Sequence, residues 1–297
     1  MPYRALFVDL AWRGVIEMTG RDRVLFLHGM CTNDIKKLQP GQGCMAAIVN
    51  RQGKMVAEMI VHVTENALLL QVDRSNLQKT IDALSKFLVA DDVTLKIADI
   101  AVIGIYGPHA RALLGAGDLP DFHGIPRDGA LLAGNRTIAP EGFDLLVPAA
   151  KAGEVDRLPA LGMEPAGFEA YEELRIESGF PRWGADMDDT VLPMEAGLEP
   201  IAISYAKGCY IGQEVIQRVK TYSEPPRTLV HLDVEGVAPG DMIMAGDGEI
   251  GQVTSAARSG ALGYVRKEFR APGMVVTVAG RAARVGSLPW QARLATP

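Results

Sequence analysis

The chain has 297 residues, 48% hydrophobic and 22% charged, with a net charge of -6. That length exceeds what one core serves and predicts two or three domains of a soluble globular protein. The acidic balance argues against a large nucleic-acid footprint. No apolar run approaches the roughly eighteen residues of a membrane span. The start, where Asp9 and Arg13 interrupt the apolar stretch, is neither a secretory signal nor an Arg- and Ser-rich transit peptide. The cytoplasm is the expected compartment, with the mitochondrial matrix as the alternative for a processed chain. Cys31, Cys44 and Cys209 are far apart and form no CxxC pair. Neither a zinc site nor a complete iron–sulfur site is therefore encoded locally, and a reducing environment is expected.

Residues 3–18 alternate loosely (Leu6, Val8 and Leu10, then Val15, Ile16 and Met18) and read as one or two strands turning near Arg13-Gly14. Asp22 stands where it caps a helix with Leu25, Phe26 and Met30 on its apolar face. Cys31 reads as a small core residue, and Thr32-Asn33-Asp34 begins a short helix stopped by Pro40-Gly41. Residues 44–49 and 55–63 are strands joined by the loop Asn50–Lys54. A third strand spans 67–73, and Ser75 caps a helix through Phe87. Strands at 93–97 and 101–106 and a helix from Pro108 to Leu114 follow, proline sitting in the first turn. Strands and helices interleave without regular βαβ spacing, which predicts an α+β fold with mostly antiparallel sheets. Residues 115–135, rich in glycine and proline, read as connection.

The strand within 137–148 carries Asp144 between Phe143 and Leu145. It is either an edge-strand carboxylate facing water or a buried one that needs donors. The helix Ala166–Gly179 presents Arg175, either a donor fork for a ligand or half of an ion pair with a glutamate. Trp183 either stacks on a flat ligand or anchors a core. Asp186, Asp188 and Asp189 lack the pattern of a calcium loop and read as a solvated turn. Pro225-Pro226 marks a boundary. The short strands beyond it (228–234, 241–244, 249–256, 262–267, 274–279 and 282–287) predict a small β-barrel. Gly246–Gly251 spells G-x-G-x-x-G but precedes a strand, and reads as a turn.

The densest stretch is Lys207-Gly208-Cys209-Tyr210-Ile211-Gly212-Gln213-Glu214. Its glycines permit left-handed backbone and close approach of another group. Val215, Ile216 and Val219 continue it as a helix from about Gln213 to about Tyr222. Beside Lys207 and just before a helix N-terminus, Cys209 sits in a field that favours the thiolate. The alternative is a buried, inert thiol in a packed turn.

This octapeptide resembles the signature Lys-Gly-Cys-Tyr-x-Gly-Gln-Glu of the YgfZ family of folate-binding proteins. That family is related to the glycine-cleavage T-protein, a tetrahydrofolate-dependent aminomethyltransferase. The Thr-Asn-Asp turn, Glu141-Gly142-Phe143-Asp144, Leu174–Pro181 and Pro193–Leu198 extend the likeness along nearly the whole chain. The resemblance implies a T-protein-like ring of two ferredoxin-like α+β domains plus a C-terminal β-barrel. One α+β domain would be discontinuous (1–48 and 137–224), the second would span 49–136, and the barrel 225–297.

It also implies a reduced folate, tetrahydrofolate or a relative, as cofactor. Asp144 would hold the pterin, with contacts from Arg175, Tyr210, Gln213, Glu214 and Trp183. Lys207 and Cys209 would be the catalytic groups, facing the same cavity. Where the T-protein carries an Asp pair this chain has Ala57 and Glu58, and Glu58 is expected on the opposite strand face, so aminomethyl transfer is expected to be lost. The implied role is support of iron–sulfur cluster assembly or repair in client enzymes, including tRNA-modifying ones, with Cys209 as a redox-active thiol or transient ligand. The partners would be those client or assembly proteins. A folate-dependent one-carbon transferase or demethylase and a non-enzymatic scaffold are the alternatives.

Overall fold

The computed structural model describes residues 4–294. β1 (Leu6–Asp9) turns into β2 (Arg13–Thr19), followed by α1 (Arg23–Met30) and the meander β3 (Gly43–Val49), β4 (Met55–Val63) and β5 (Leu68–Asp73). Next come α2 (Leu77–Ser85), β6 (Thr94–Ala98), β7 (Ile100–Tyr106) and α3 (Ala110–Leu114). β8 (Gly124–Arg127), β9 (Ala130–Gly134), β10 (Gly142–Pro148) and β11 (Glu164–Ala166) complete the first two sheets. α4 (Phe168–Ser178), α5 (Glu199–Ala202) and α6 (Gln213–Tyr222) lead to the last strands. These are β12 (Arg227–Asp233), β13 (Met242–Ala245), β14 (Gly248–Ala257), β15 (Gly260–Arg266), β16 (Val275–Val278) and β17 (Arg281–Gly286), with α7 (Pro289–Leu294) after them.

Three sheets result. One has five strands in the order β3-β4-β5-β2-β6, one has six in the order β11-β1-β7-β10-β9-β8, and the last six strands close into a barrel. Among the described residues all pairings between these strands are antiparallel except β1 with β11, as the α+β pattern predicts. Phe26 and Leu27 of α1 and Leu77 and Leu84 of α2 cover one face of the five-stranded sheet. Its other face contributes Met45 and Ile60 to a core shared with Trp183, Tyr210, the barrel residues Leu229 and Leu262, and Trp290 of α7. Each large side chain buried there contributes on the order of 2 kcal/mol, so this core binds all three bodies together. Among the described residues no helix is long and apolar enough to cross a membrane.

The sheets divide the chain differently from the boundaries drawn on the sequence. β3 and β4 are one hairpin, so a cut at 48/49 falls inside it. The five-stranded sheet takes residues 13–98, and the six-stranded sheet takes β1 together with 100–166. Residues 115–135 are more than connection, because Asp128 and Gly129, at φ 50° and 93°, form the turn of the β8–β9 hairpin. Two consecutive left-handed residues match the twist of a two-residue hairpin, and Asp-Gly is the pair suited to it. Asp22 occupies the N-cap position of α1 but makes no side-chain cap bond; its carboxylate accepts instead from the Asp92 amide at 2.8 Å.

The barrel is fastened by charge as well as by apolar packing. Arg175 of α4 is fully buried and donates to Asp186 at 2.7 Å, to Glu172 at 2.7 and 2.6 Å, and to Ser255 of β14 at 2.7 Å. Asp186 is itself buried and accepts from the hydroxyls of Ser255 at 2.8 Å and Thr254 at 2.5 Å. The expected solvated turn at Asp186 is thus a buried ion-pair joint, because the barrel packs over it. Removing one partner of such a pair leaves an uncompensated charge. Arg175→Leu should therefore destabilise the protein by about 3–5 kcal/mol in urea unfolding followed by circular dichroism.

Candidate functional site

The two open sheets and the N-terminal end of α4 line a narrow cavity of about 30 Å³. Its floor is polar. Asp144 sits in the middle of β10, opposite Gly104 of β7 and Ala133 of β9, and is 1% exposed. Its neighbours in the sheet are small for a reason. A Cβ on Gly104 would lie 2.3 Å from the Tyr106 hydroxyl oxygen, so glycine there lets the Tyr106 ring lie beside the carboxylate.

Oδ2 of Asp144 accepts from Gln71 Nε2 at 3.1 Å and from Asn135 Nδ2 at 3.0 Å. Oδ1 is buried without a partner. Burial pushes the carboxyl up from its ordinary value, against the opposing pull of the two amide bonds, His62 and Arg13. Next to it, Glu58 of β4 pairs with the Arg13 guanidinium, which also donates to the Gln71 carbonyl at 2.9 Å.

The walls are aromatic and apolar: Trp12, Tyr106, Tyr171 and Phe180, with Leu10 and Ile138. Trp12 and Tyr171 hold their ring centroids 4.8 Å apart, and Phe168 meets Trp12 edge-on at 4.8 Å. At the rim Arg182 donates to Glu172 at 2.9 Å and lies over the Phe168 ring at 5.3 Å. Although burial alone would raise the Glu172 carboxyl, Arg175 and Arg182 together hold it below its ordinary value. A deep acceptor, a charged pair and aromatic walls are groups whose chemistry suits a flat, polar heterocycle.

Asp144 is the one sequence-predicted site residue that lines this cavity, and its buried, donor-needing reading is the observed one. Arg175 is the ion-pair residue described above and Trp183 belongs to the shared core, so neither lines the cavity. Lys207 is buried, its ammonium donating to the carbonyl of His28 and, at 2.6 Å, to that of Cys31 at the C-terminal end of α1, 4.9 Å from the Tyr210 ring. Orphan carbonyls at a helix end attract a cation, and burial pulls this ammonium below the usual lysine range.

Cys209 is exposed and lies in a separate shallow groove with Arg51, Tyr210, Gln213 and Glu214. It does not open onto the cavity of Asp144, and neither does Lys207. Gly212, at φ 80°, lies so close to the β3–β4 loop that a Cβ would come 2.3 Å from the Asn50 carbonyl. The octapeptide is thus anchored inward by Lys207, Tyr210 and Gly212, with the thiol left facing solvent.

Glu58 is a second correction. It lines the cavity, whereas Ala57 is fully buried and does not. The β3–β4 register slips between Ile48 and Val49, so that Ile48 faces Ala57 while Val49 faces Met55. This bulge shifts the phase of the strand, and strict alternation carried in from residue 55 misplaces every side chain after it. The residues missed by sequence reasoning, Arg13, Gln71, Tyr106 and Asn135, come from four different strands or strand ends. The signal available for one of them was a polar residue inside an otherwise apolar strand, Gln71 of β5, as Glu58 is in β4.

The sequence matches the family model described as the GCVT N-terminal domain over residues 4–120 and 140–207. It is 31% identical to a chloroplastic putative transferase of Arabidopsis thaliana, an alignment that takes in 98% of this chain and 72% of that protein. It is 30% identical to the aminomethyltransferase of Streptomyces coelicolor across 91% of this chain and 80% of the other. Its fold superposes on the glycine cleavage system aminomethyltransferase T of Bartonella henselae with a TM-score of 0.87, covering 97% of this chain and 86% of that one at 22% identity. That is the T-protein-like architecture, two α+β bodies and a closed barrel, expected from the sequence.

The separation of thiol and cavity is open to direct measurement. In the native protein Ellman's reagent should label Cys209 rapidly. Cys31, fully buried with its thiol pushed up to about 11, should stay unlabelled until unfolding. Saturating the cavity with ligand should leave the Cys209 rate unchanged, and Cys209→Ser should remove the fast phase.

Proposed function

The chain belongs to the GCVT family of aminomethyltransferase-like proteins, and on that premise we propose that it binds a reduced folate, tetrahydrofolate or a close relative, in the cavity of Asp144. The observation that carries this reading is the unpartnered Oδ1 of Asp144, a buried acceptor on the cavity floor. An unpaired buried acceptor is costly, and a ligand donor relieves that cost. The edge of a pterin carries a ring N–H beside an amino group, donors of the kind Oδ1 lacks. Tyr106, Tyr171, Trp12 and Phe180 supply the surfaces that a flat ring stacks on. Arg182 at the rim is the cation nearest to hand for the anionic tail of a folate. The folate supplies a nitrogen that carries one-carbon units; the residues here bind and orient it.

Within the family, the octapeptide 207–214 supports the YgfZ-type branch and its role in maintaining iron–sulfur enzymes, including tRNA-modifying ones. Partner client or assembly proteins would then meet Cys209 at the surface. One thiol cannot hold a cluster alone, so its part is a transient bond or a redox step shared with the partner. A second reading, folate-dependent one-carbon transfer to or from a small amine, is favoured by Glu58. It is a cavity carboxylate beside Asp144, held by Arg13, and a carboxylate base in such a place contributes about 10²–10⁴-fold to a proton transfer.

Titrating the protein with tetrahydrofolate and following tryptophan fluorescence should give a saturable change, with Trp12 in the cavity wall as reporter. Asp144→Leu should weaken binding by about 10–100-fold. Because burial raises the Asp144 carboxyl, its acceptor form is lost as pH falls through a midpoint above the ordinary aspartate value. Folate affinity should fall in that same window, and no saturable change in the wild type would sink the reading. Turnover of methylamine or formaldehyde with folate, abolished by Glu58→Gln, would select the second reading. Failure of Cys209→Ala to rescue iron–sulfur enzyme activity in a strain lacking the protein would select the first.

A further inference from the structure

His62 lies outside the cavity lining, behind Gln71. It is buried on β4, on the same strand face as Glu58 and Ile60. Ile60 stands directly opposite Gln71 of β5, so the Gln71 side chain has Glu58 on one diagonal and His62 on the other. His62 Nε2 is 3.4 Å from Gln71 Oε1, and Gln71 Nε2 donates to Asp144 Oδ2 at 3.1 Å. The second ring nitrogen, Nδ1, is buried and makes no well-formed hydrogen bond; the Phe122 backbone is a polar group beside the ring.

An amide bridging two groups has one orientation that satisfies both. With its NH₂ on the carboxylate, Gln71 turns its carbonyl oxygen to His62, so Nε2 must carry the hydrogen. Burial disfavours a second hydrogen on the ring, leaving the neutral Nε2–H tautomer. Asn135 is pinned in the same way from behind, its Oδ1 accepting from the Thr137 hydroxyl at 2.6 Å and the Thr137 amide at 3.3 Å. Two amides that cannot turn over both donate to Oδ2 and leave Oδ1 to the ligand.

We propose that His62 is a positioning residue for the ligand: by holding Gln71 in its donating orientation it keeps Asp144 an ionised acceptor whose Oδ1 faces the cavity. Without the imidazole donor the Gln71 amide can turn over. Its oxygen then meets Asp144 Oδ2, a contact that is repulsive unless the acid takes up a proton. The protonated acid offers a donor where the ligand needs an acceptor. The charged and titratable groups facing Asp144 are Arg13 of β2, Glu58 and His62 of β4, Tyr106 of β7 and Tyr171 of α4. Of these, His62 acts on it through the orientation of an amide. The choice of ligand probe rests on the folate reading, whereas the tautomer does not.

Long-range ¹H–¹⁵N spectra of the ligand-free protein, with His62 assigned from His62→Gln, should show Nε2 protonated and Nδ1 bare. In 5-formyltetrahydrofolate titrations, His62→Met should weaken binding about tenfold. It should also move the acid midpoint of binding upward by about one pH unit. His62→Gln, which returns an amide donor to Gln71, should restore affinity to within about threefold of wild type and bring the midpoint back. An Nδ1–H tautomer, or a His62→Met protein that is folded with unchanged midpoint and affinity, overturns the assignment. If His62→Met does not fold, the wild-type tautomer and the His62→Gln midpoint decide the matter. A wild type that shows the Nε2–H tautomer but binds no folate leaves the positioning role standing and removes the folate reading instead.

Discussion

The centre of this protein is organised by one constraint: a carboxylate with almost no solvent exposure must find hydrogen-bond donors. Asp144 finds two, and they come from different sheets. Gln71 reaches across from the five-stranded sheet, while Asn135 follows β9 of the six-stranded one. The acid therefore ties the two open sheets together at the floor of the cavity between them. The tie is incomplete by one oxygen, the atom to which the proposed ligand would donate. An apolar residue at 144 would relieve the burial cost, but the cavity would lose its one unpaired acceptor.

A second buried carboxylate joint closes the molecule on the far side. Arg175 and Asp186 lock α4 to the barrel strand β14. Glu172 is shared between Arg175 and Arg182, so the rim of the cavity and the seat of the barrel lean on one side chain. Charge is balanced within this cluster, two guanidiniums against two carboxylates. Glu195 repeats the arrangement between bodies: buried, it lies 3.6 Å from Lys54 of the β3–β4 loop and 3.5 Å from Arg227 of β12. A pair buried on both sides, such as Arg175–Asp186, is weak evidence for added stability but costly to break, which suits a joint that fixes the angle between bodies.

The octapeptide has a different physical role from the one its composition suggested. Lys207 caps the carbonyl end of α1, Tyr210 enters the shared core and Gly212 presses on the β3–β4 loop. These contacts account for the residue types at three of its positions by packing alone. Cys209 has no such duty in these contacts, and it is exposed. Ligand cavity and thiol are two separate places on the molecule, with no lining residue in common.

From the sequence alone came the antiparallel α+β pattern, the barrel and its boundary at Pro225-Pro226, and Asp144 as an acid either facing water or buried. Each of those signals is local: alternation along a strand, a proline pair, an acid among apolar neighbours. Likeness to a known signature supplied the ring of three bodies. Tertiary structure decided the rest, because the deciding interactions join residues far apart in the chain. Arg13, Glu58, Gln71 and Asp144 meet through strand pairing across two sheets, and no spacing in the sequence encodes that meeting. The bulge near Val56 turned Glu58 toward the cavity, a one-residue slip that a period-two reading cannot detect. Arg175 and Lys207 looked like ligand cations because a charge in sequence has no visible partner. Their partners, Asp186 and the carbonyl end of α1, appear only when the barrel and the helix are packed against them.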